Sequence, residues 1–143
     1  MSGGTFTSID PPGALYTEAL GINTAGDIVG NYSGADAHQH GFLLHKGVYT
    51  TIDFPGATDT WITAINDQGQ MAGAYGTGLK QIGKLLWPVY HGFVNDNGAF
   101  TSFDVPYAGA AGTLAYGLNN KNQLVGFCID GNGTYFGYIG WFK

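Results

Sequence analysis

Arginine is absent, so lysine supplies the whole basic complement: Lys plus Arg number 5 against 10 Asp plus Glu, and the formal charge is -5. A surface of that sign repels a phosphate backbone, and nucleic acid is excluded as the expected partner. Cysteine is reduced to Cys128. One thiol cannot close a disulfide within the chain or build a Cys-rich zinc centre, so stability has to come from packing. No apolar run approaches the length of a membrane-spanning helix, and no basic segment followed by an apolar stretch opens the sequence. Neither membrane insertion nor a signal peptide is expected of this chain.

What the sequence has instead is glycine, 25 of 143 residues, together with 9 Tyr, 9 Phe and 3 Trp. Glycine weakens helix interiors, while aromatic side chains suit pleated, half-buried surfaces. Hydrophobic residues make up 44% of the chain, enough for a core. The expectation is a single all-β domain over residues 1–143, built of short strands and tight turns.

Internal repetition organises the chain. Thr7-Ser8-Ile9-Asp10, Thr50-Thr51-Ile52-Asp53 and Thr101-Ser102-Phe103-Asp104 each follow an aromatic residue, Phe6, Tyr49 or Phe100. Gly21-Ile22-Asn23, Ala64-Ile65-Asn66 and Gly117-Leu118-Asn119 form a second set, and Ile28-Val29-Gly30, Met71-Ala72-Gly73 and Leu124-Val125-Gly126 a third. These three sets recur after 43 residues and then after 51 to 53. A fourth set is His40-Gly41-Phe42, His91-Gly92-Phe93 and, degraded, Phe136-Gly137-Tyr138. The units run approximately 5–48, 49–99 and 100–143, and the second carries an insertion over 76–90.

Each set has a physical reading. Asn23 to Gly26 and Asn66 to Gly69 place Asn first and Gly last across a reversal, and in the third unit Asn122 stands where Gly accepts a positive φ. Hairpin turns are predicted at Lys46-Gly47 and Asn97-Gly98. Pro11, Pro55 and Pro106 end the aromatic-Thr-Thr/Ser strand because they lack the amide hydrogen. Four strands per unit is the economical count. Residues 3 to 9 then form an outgoing strand without its partner and 136 to 142 an incoming one, so pairing of the two ends is predicted to hide both edges.

The Ile-Asn turns, Val-Gly strands and His-Gly-Phe segments resemble the HAF-type repeats of bacterial, often extracellular, proteins. The resemblance spans nearly the whole chain, is best in Gly21 to Gly30 with His40 to Phe42 and in Ile65 to Gly73 with His91 to Phe93, and lapses at Phe136. It implies β-propeller-type blades and an extracellular or periplasmic home, and no settled activity. Propellers close with four or more blades, so three per chain imply a homodimer that shares a six-bladed ring. A β-trefoil is the alternative for three units of this size.

Candidate sites follow from residue type. Asp36, His38 and His40 have the spacing of a strand-borne metal site but read better as a polar loop, so neither metal nor cofactor is expected. The repeat anchors Asp10, Asn23, His40, Asp53, Asn66, His91, Asp104 and Asn119 are expected to be structural, the Asp residues capping turn amides. The insertion, with Lys80, Lys84, Leu86 and Trp87, suits an interface or a ligand contact. Trp61, Tyr75, Trp87, Tyr90, Tyr107, Tyr116 and Trp141 are candidates for stacking on sugar rings, beside abundant amide groups. The expected function is a non-catalytic binding or assembly module, with a glycan as candidate ligand. A structural scaffold without small ligand is one alternative. A hydrolase or lyase using the Asp and His anchors at a ring centre is the other.

Overall fold

The computed structural model describes residues 3–82, 84–106 and 111–143. Eleven strands follow one another without a helix: β1 (Tyr16–Ile22), β2 (Ile28–Ser33), β3 (Gln39–His45), β4 (Val48–Ile52), β5 (Asp59–Ile65), β6 (Met71–Ile82), β7 (Leu85–Asp96), β8 (Ala99–Phe103), β9 (Gly112–Leu118), β10 (Gln123–Ile129) and β11 (Tyr135–Trp141). The first four form one antiparallel sheet in chain order. The other seven form a second sheet of order β11-β10-β9-β7-β6-β5, with β8 beside β7. Among the described residues a parallel pair, Tyr90 with Gly112, joins β7 to β9. The hydrogen-bonded modules are therefore three successive meanders, β1–β4, β5–β8 and β9–β11, and the aromatic-Thr-Thr/Ser segment is the last strand of the first two.

Local chemistry sets the reversals. Asn66 Oδ1 accepts the amides of Gln68 and Gln70 at 3.1 and 2.9 Å, and Asn119 Oδ1 those of Lys121 and Gln123 at 2.9 and 3.1 Å. Asn122 has φ 59, the left-handed conformation that Gly26 and Gly69 adopt in the other two turns. Lys46-Gly47 and Asn97-Gly98 have positive φ at both residues, the primed turn that matches strand twist. The insertion is no loop: it lengthens β6 and β7 into a projecting hairpin in which Lys80 pairs with Trp87 and Gln81 with Leu86.

The core lies between the first sheet and the second meander, where Val29, Ile62, Ile65, Met71, Tyr75 and Phe93 are buried together. Phe54, which follows the first Asp-ended strand, stacks flat on Tyr75 at 3.6 Å and meets Phe100 edge-on at 5.3 Å. The turn asparagines lie one above another: Asn23 Nδ2 donates to the carbonyl of Asn66, and Asn66 Nδ2 to that of Asn119, each at 3.3 Å.

Two expectations fail here. The propeller blades do not close: both sheets are open, residues 3 to 9 form no strand, and among the described residues the one strand beside β11 is β10. The run before β1 contains Pro11 and Pro12, which carry no amide hydrogen, Ile9 lines a shallow pocket with residues of β1, and Phe6 is 92% exposed. The six-bladed ring falls with that closure. Neither sheet curls into a barrel, so the trefoil alternative is unsupported as well. Among the described residues the first unit holds three strands, β1–β3, rather than four, and the second and third hold four each.

Candidate functional site

The first strand of every meander is bulged at the same place. The pairing register skips Leu20 in β1, Thr63 in β5 and Tyr116 in β9. Opposite each bulge stands the glycine of the Val-Gly set, and a side chain there has no room. A Cβ on Gly30, Gly73 or Gly126 would lie 1.9, 1.9 or 2.0 Å from the carbonyl oxygen of Glu18, Trp61 or Leu114. A bulge re-aims the residues around it, and such positions favour sites of function.

Here the re-aimed residues converge. Leu20, Thr63 and Tyr116, with Glu18, Trp61 and Leu114 two positions before them, line one pocket of about 460 Å³. That volume lies within the roughly 300–1,000 Å³ usual for small-molecule sites. Tyr90, at the base of the projecting hairpin, closes one side and packs edge-on against Trp61 with ring centroids 5.2 Å apart. Burial, and then the negative charge of Asp59, push the Tyr90 phenol above its ordinary pKa, so it remains a neutral donor and acceptor. Tyr116 rests on Phe127 in a stacked arrangement at 5.5 Å.

The polar groups are few. Thr63 Oγ1 sits 2.7 Å from the carbonyl of Ala115 and 3.1 Å from that of Ala72, tying the second meander to the third. Asn31 is 1% exposed; its Nδ2 donates to Glu18 Oε2 at 3.3 Å and to Gln39 Oε1 at 3.1 Å, while its Oδ1 is buried without a partner. A buried carbonyl oxygen left unpaired costs free energy. Glu18, the chain's one glutamate, adds a carboxylate and accepts a hydrogen bond from Tyr16. The bond to Glu18 raises the Tyr16 pKa, which keeps that hydroxyl protonated as the donor.

The structure thus brings Trp61, Tyr90 and Tyr116 together and disperses the other aromatic candidates. Tyr75 is a core residue, its hydroxyl 2.8 Å from Ser102 Oγ. Trp87 lies on the projecting hairpin, Trp141 on the outer edge strand, and Tyr107 falls outside the described residues. Glu18 and Asn31 were missed by sequence reasoning. The signal that points to them is their phase, two residues before a bulge and one after its glycine.

The His and Asp anchors form separate local networks. His40 Nδ1 bonds Asp53 and Nε2 bonds Asp36, both at 2.8 Å, and His91 Nδ1 bonds Asp104 at 2.9 Å. Asp53 and Asp104 meet histidines across the strand pair, and Asp53 Oδ1 also accepts the amide of Gly41 at 3.3 Å. The amides of Phe54 and Val105 are held instead by Thr60 and Thr113, each at 3.0 Å. Among the described residues no group of three or more His, Cys, Asp or Glu side chains is placed to hold a metal. Cys128 is buried, and burial raises its thiol pKa.

Among the described residues no helix is long and apolar enough to cross a membrane. The chain matches no protein-family model, no curated protein and no solved structure. With the open sheets, that result overturns the resemblance to HAF-type repeats, and what stands is an all-β chain of three repeated meanders converging on one aromatic pocket.

Proposed function

We propose that the chain is a non-catalytic binding module whose pocket, between β1, β5 and β9, takes a neutral carbohydrate. The observation that carries this reading is the convergence of Trp61, Tyr90 and Tyr116 on one pocket beside the Glu18 carboxylate. A sugar ring offers hydroxyl donors to Glu18 and an apolar C–H face to the rings. No cation lines the pocket, so phosphorylated or carboxylated ligands find no counter-charge. Glu18 is the one carboxylate among its lining residues, whereas glycoside hydrolysis works with two, and this favours binding over catalysis.

The test is a titration of intrinsic tryptophan fluorescence against a panel of neutral mono- and disaccharides. Tyr116→Ala is expected to weaken binding about three- to ten-fold, the equivalent of roughly 0.5–1.5 kcal/mol for one aromatic contact. Trp141→Ala, outside the pocket, should leave affinity unchanged. A panel without a binder, or equal losses in both variants, sinks the reading.

A second reading, self-association as a homodimer, is favoured by the outer edge of β11. That edge has no strand beside it among the described residues, and Ile139 and Trp141 on it are exposed. Open apolar edges template pairing with another chain.

A further inference from the structure

We propose that the projecting hairpin of β6 and β7 is a docking element for an anionic lipid surface, which it meets at headgroup depth without crossing. The proposal goes beyond the sugar-binding reading and makes no use of the pocket.

The hairpin leaves the body of the molecule at its root. β5 pairs along β6 as far as Gly76, β8 pairs along β7 back to Gly92, and β9 meets β7 at Tyr90. Beyond those pairs, among the described residues, no third strand flanks the ribbon of residues 79–82 and 85–88. Directly opposed residues share a face of such a ribbon, and neighbours along a strand alternate. Lys80 opposes Trp87, so these two share one face with Leu85; Leu79 opposes Pro88, and with Leu86 they share the other. Leu79, Leu85 and Leu86 are 65, 62 and 65% exposed, and Trp87 is 38% exposed. Large apolar side chains thus stand in solvent on both faces. A single exposed leucine is ordinary, whereas a cluster of this kind marks a surface that something covers.

The kind of partner follows from charge and shape. Residues 76–90 hold Lys80 and Lys84 and no Asp or Glu, while the rest of the chain sets Lys46, Lys121 and Lys143 against 10 Asp plus Glu. The ribbon is the cationic projection of an acidic molecule. Trp87, opposite Lys80, stands three residues outside Tyr90, about 10 Å along the strand. That exceeds the Debye length of about 8 Å at physiological salt, so the acidic body does not cancel the attraction of the lysines to an anionic surface. A flat protein partner laid on one face leaves the leucine of the other in water; a headgroup layer surrounds both. The residue types suit that layer, because an indole ring settles among headgroups and a lysine stem lets its ammonium reach phosphate while the leucines beside it sit deeper. A two-stranded ribbon satisfies only its inner amides by pairing, which holds it at headgroup depth and out of the hydrocarbon core.

The experiment is co-sedimentation of the full chain with vesicles of phosphatidylcholine containing phosphatidylserine, and with vesicles of phosphatidylcholine alone. The expected result is binding to the first that weakens as salt is raised, and much weaker binding to the second. At about five-fold per lysine, Lys80→Gln combined with Lys84→Gln should lower affinity roughly 30-fold. Leu86→Ser should lower it as well, and Lys121→Gln, on the last turn of the third meander, should leave it unchanged. All four positions are exposed, and circular dichroism checks that the sheets persist. Absence of binding to the anionic vesicles, or equal binding to both kinds, overturns the proposal. A loss with Lys121→Gln equal to that of the hairpin pair overturns it too, since the attraction then belongs to no one element. Light scattering without vesicles tests the other occupant: a mass of twice 15.1 kDa that Leu86→Ser returns to 15.1 kDa would place a second copy on the hairpin and overturn lipid docking. None of these results bears on the sugar titration.

Discussion

A threonine occupies the second position of β1, β5 and β9, and its hydroxyl meets different fates. Thr60 and Thr113 accept the amides of Phe54 and Val105, the residues that follow the Asp of the preceding strand. At the matching position before β1 stands Pro11, which has no amide hydrogen, and Thr17 Oγ1 is buried without a partner. The prediction is an inversion of sign. Thr17→Val removes an unsatisfied hydroxyl and should be neutral or stabilise by up to about 1 kcal/mol, whereas Thr60→Val strands the Phe54 amide and should cost about 1–3 kcal/mol. Urea denaturation of the two variants measures both, and equal destabilisation contradicts the account. The asparagine turns were legible from sequence because donor and acceptor lie within four residues. The threonine caps were not, because their value depends on which residue the neighbouring meander presents.

At the scale of the element, the glycines of the Val-Gly set do something other than permit a turn. Gly73 has an ordinary φ, yet a Cβ there would sit 1.9 Å from the backbone oxygen of Trp61, so the bulge in β5 exists only against glycine. Gly73→Ala should destabilise by at least about 1–3 kcal/mol, as overpacking against backbone that cannot yield. It should also weaken any ligand of the pocket, because Trp61 and Thr63 are aimed by that bulge. Gly131→Ala meets nothing within 4 Å and serves as the control. Comparative thermal melts decide between them. Sequence periodicity marked these glycines as strand positions and could not mark the bulges, since a bulge is a property of two paired strands. The pocket was illegible for the same reason: its walls come from positions as far apart as Glu18 and Tyr116 that meet only when β1, β5 and β9 converge.

Over the whole molecule, end-to-end closure was inferred from phase alone, and phase takes no account of Pro11-Pro12, whose missing amide hydrogens interrupt ladder pairing just before β1. What does join the meanders is polar and titratable. The Asp67 carboxylate accepts the amide of Thr24 at 2.8 Å and the side-chain amide of Asn120 at 2.7 Å, so one group links the turns of all three meanders. The Thr24 amide first, and then Asn120, hold its pKa below the ordinary 3.8. A depressed carboxyl contributes stability that is complete above 3.8 and is lost as pH falls through the folded value. His40 has the opposite sign: its bond to Asp53 and then that to Asp36 outweigh burial and raise its pKa above 6.5, so its contribution is complete below 6.5 and is lost as pH rises through the folded value. The melting temperature should therefore be highest between about pH 4 and 6.5 and fall on both sides. Asp67→Asn should lower it at pH 6, by an amount that shrinks below 3.8, and His40→Gln should lower it at pH 5, by an amount that shrinks above neutrality. Differences that stay constant across the range would show that neither group couples its proton to the fold.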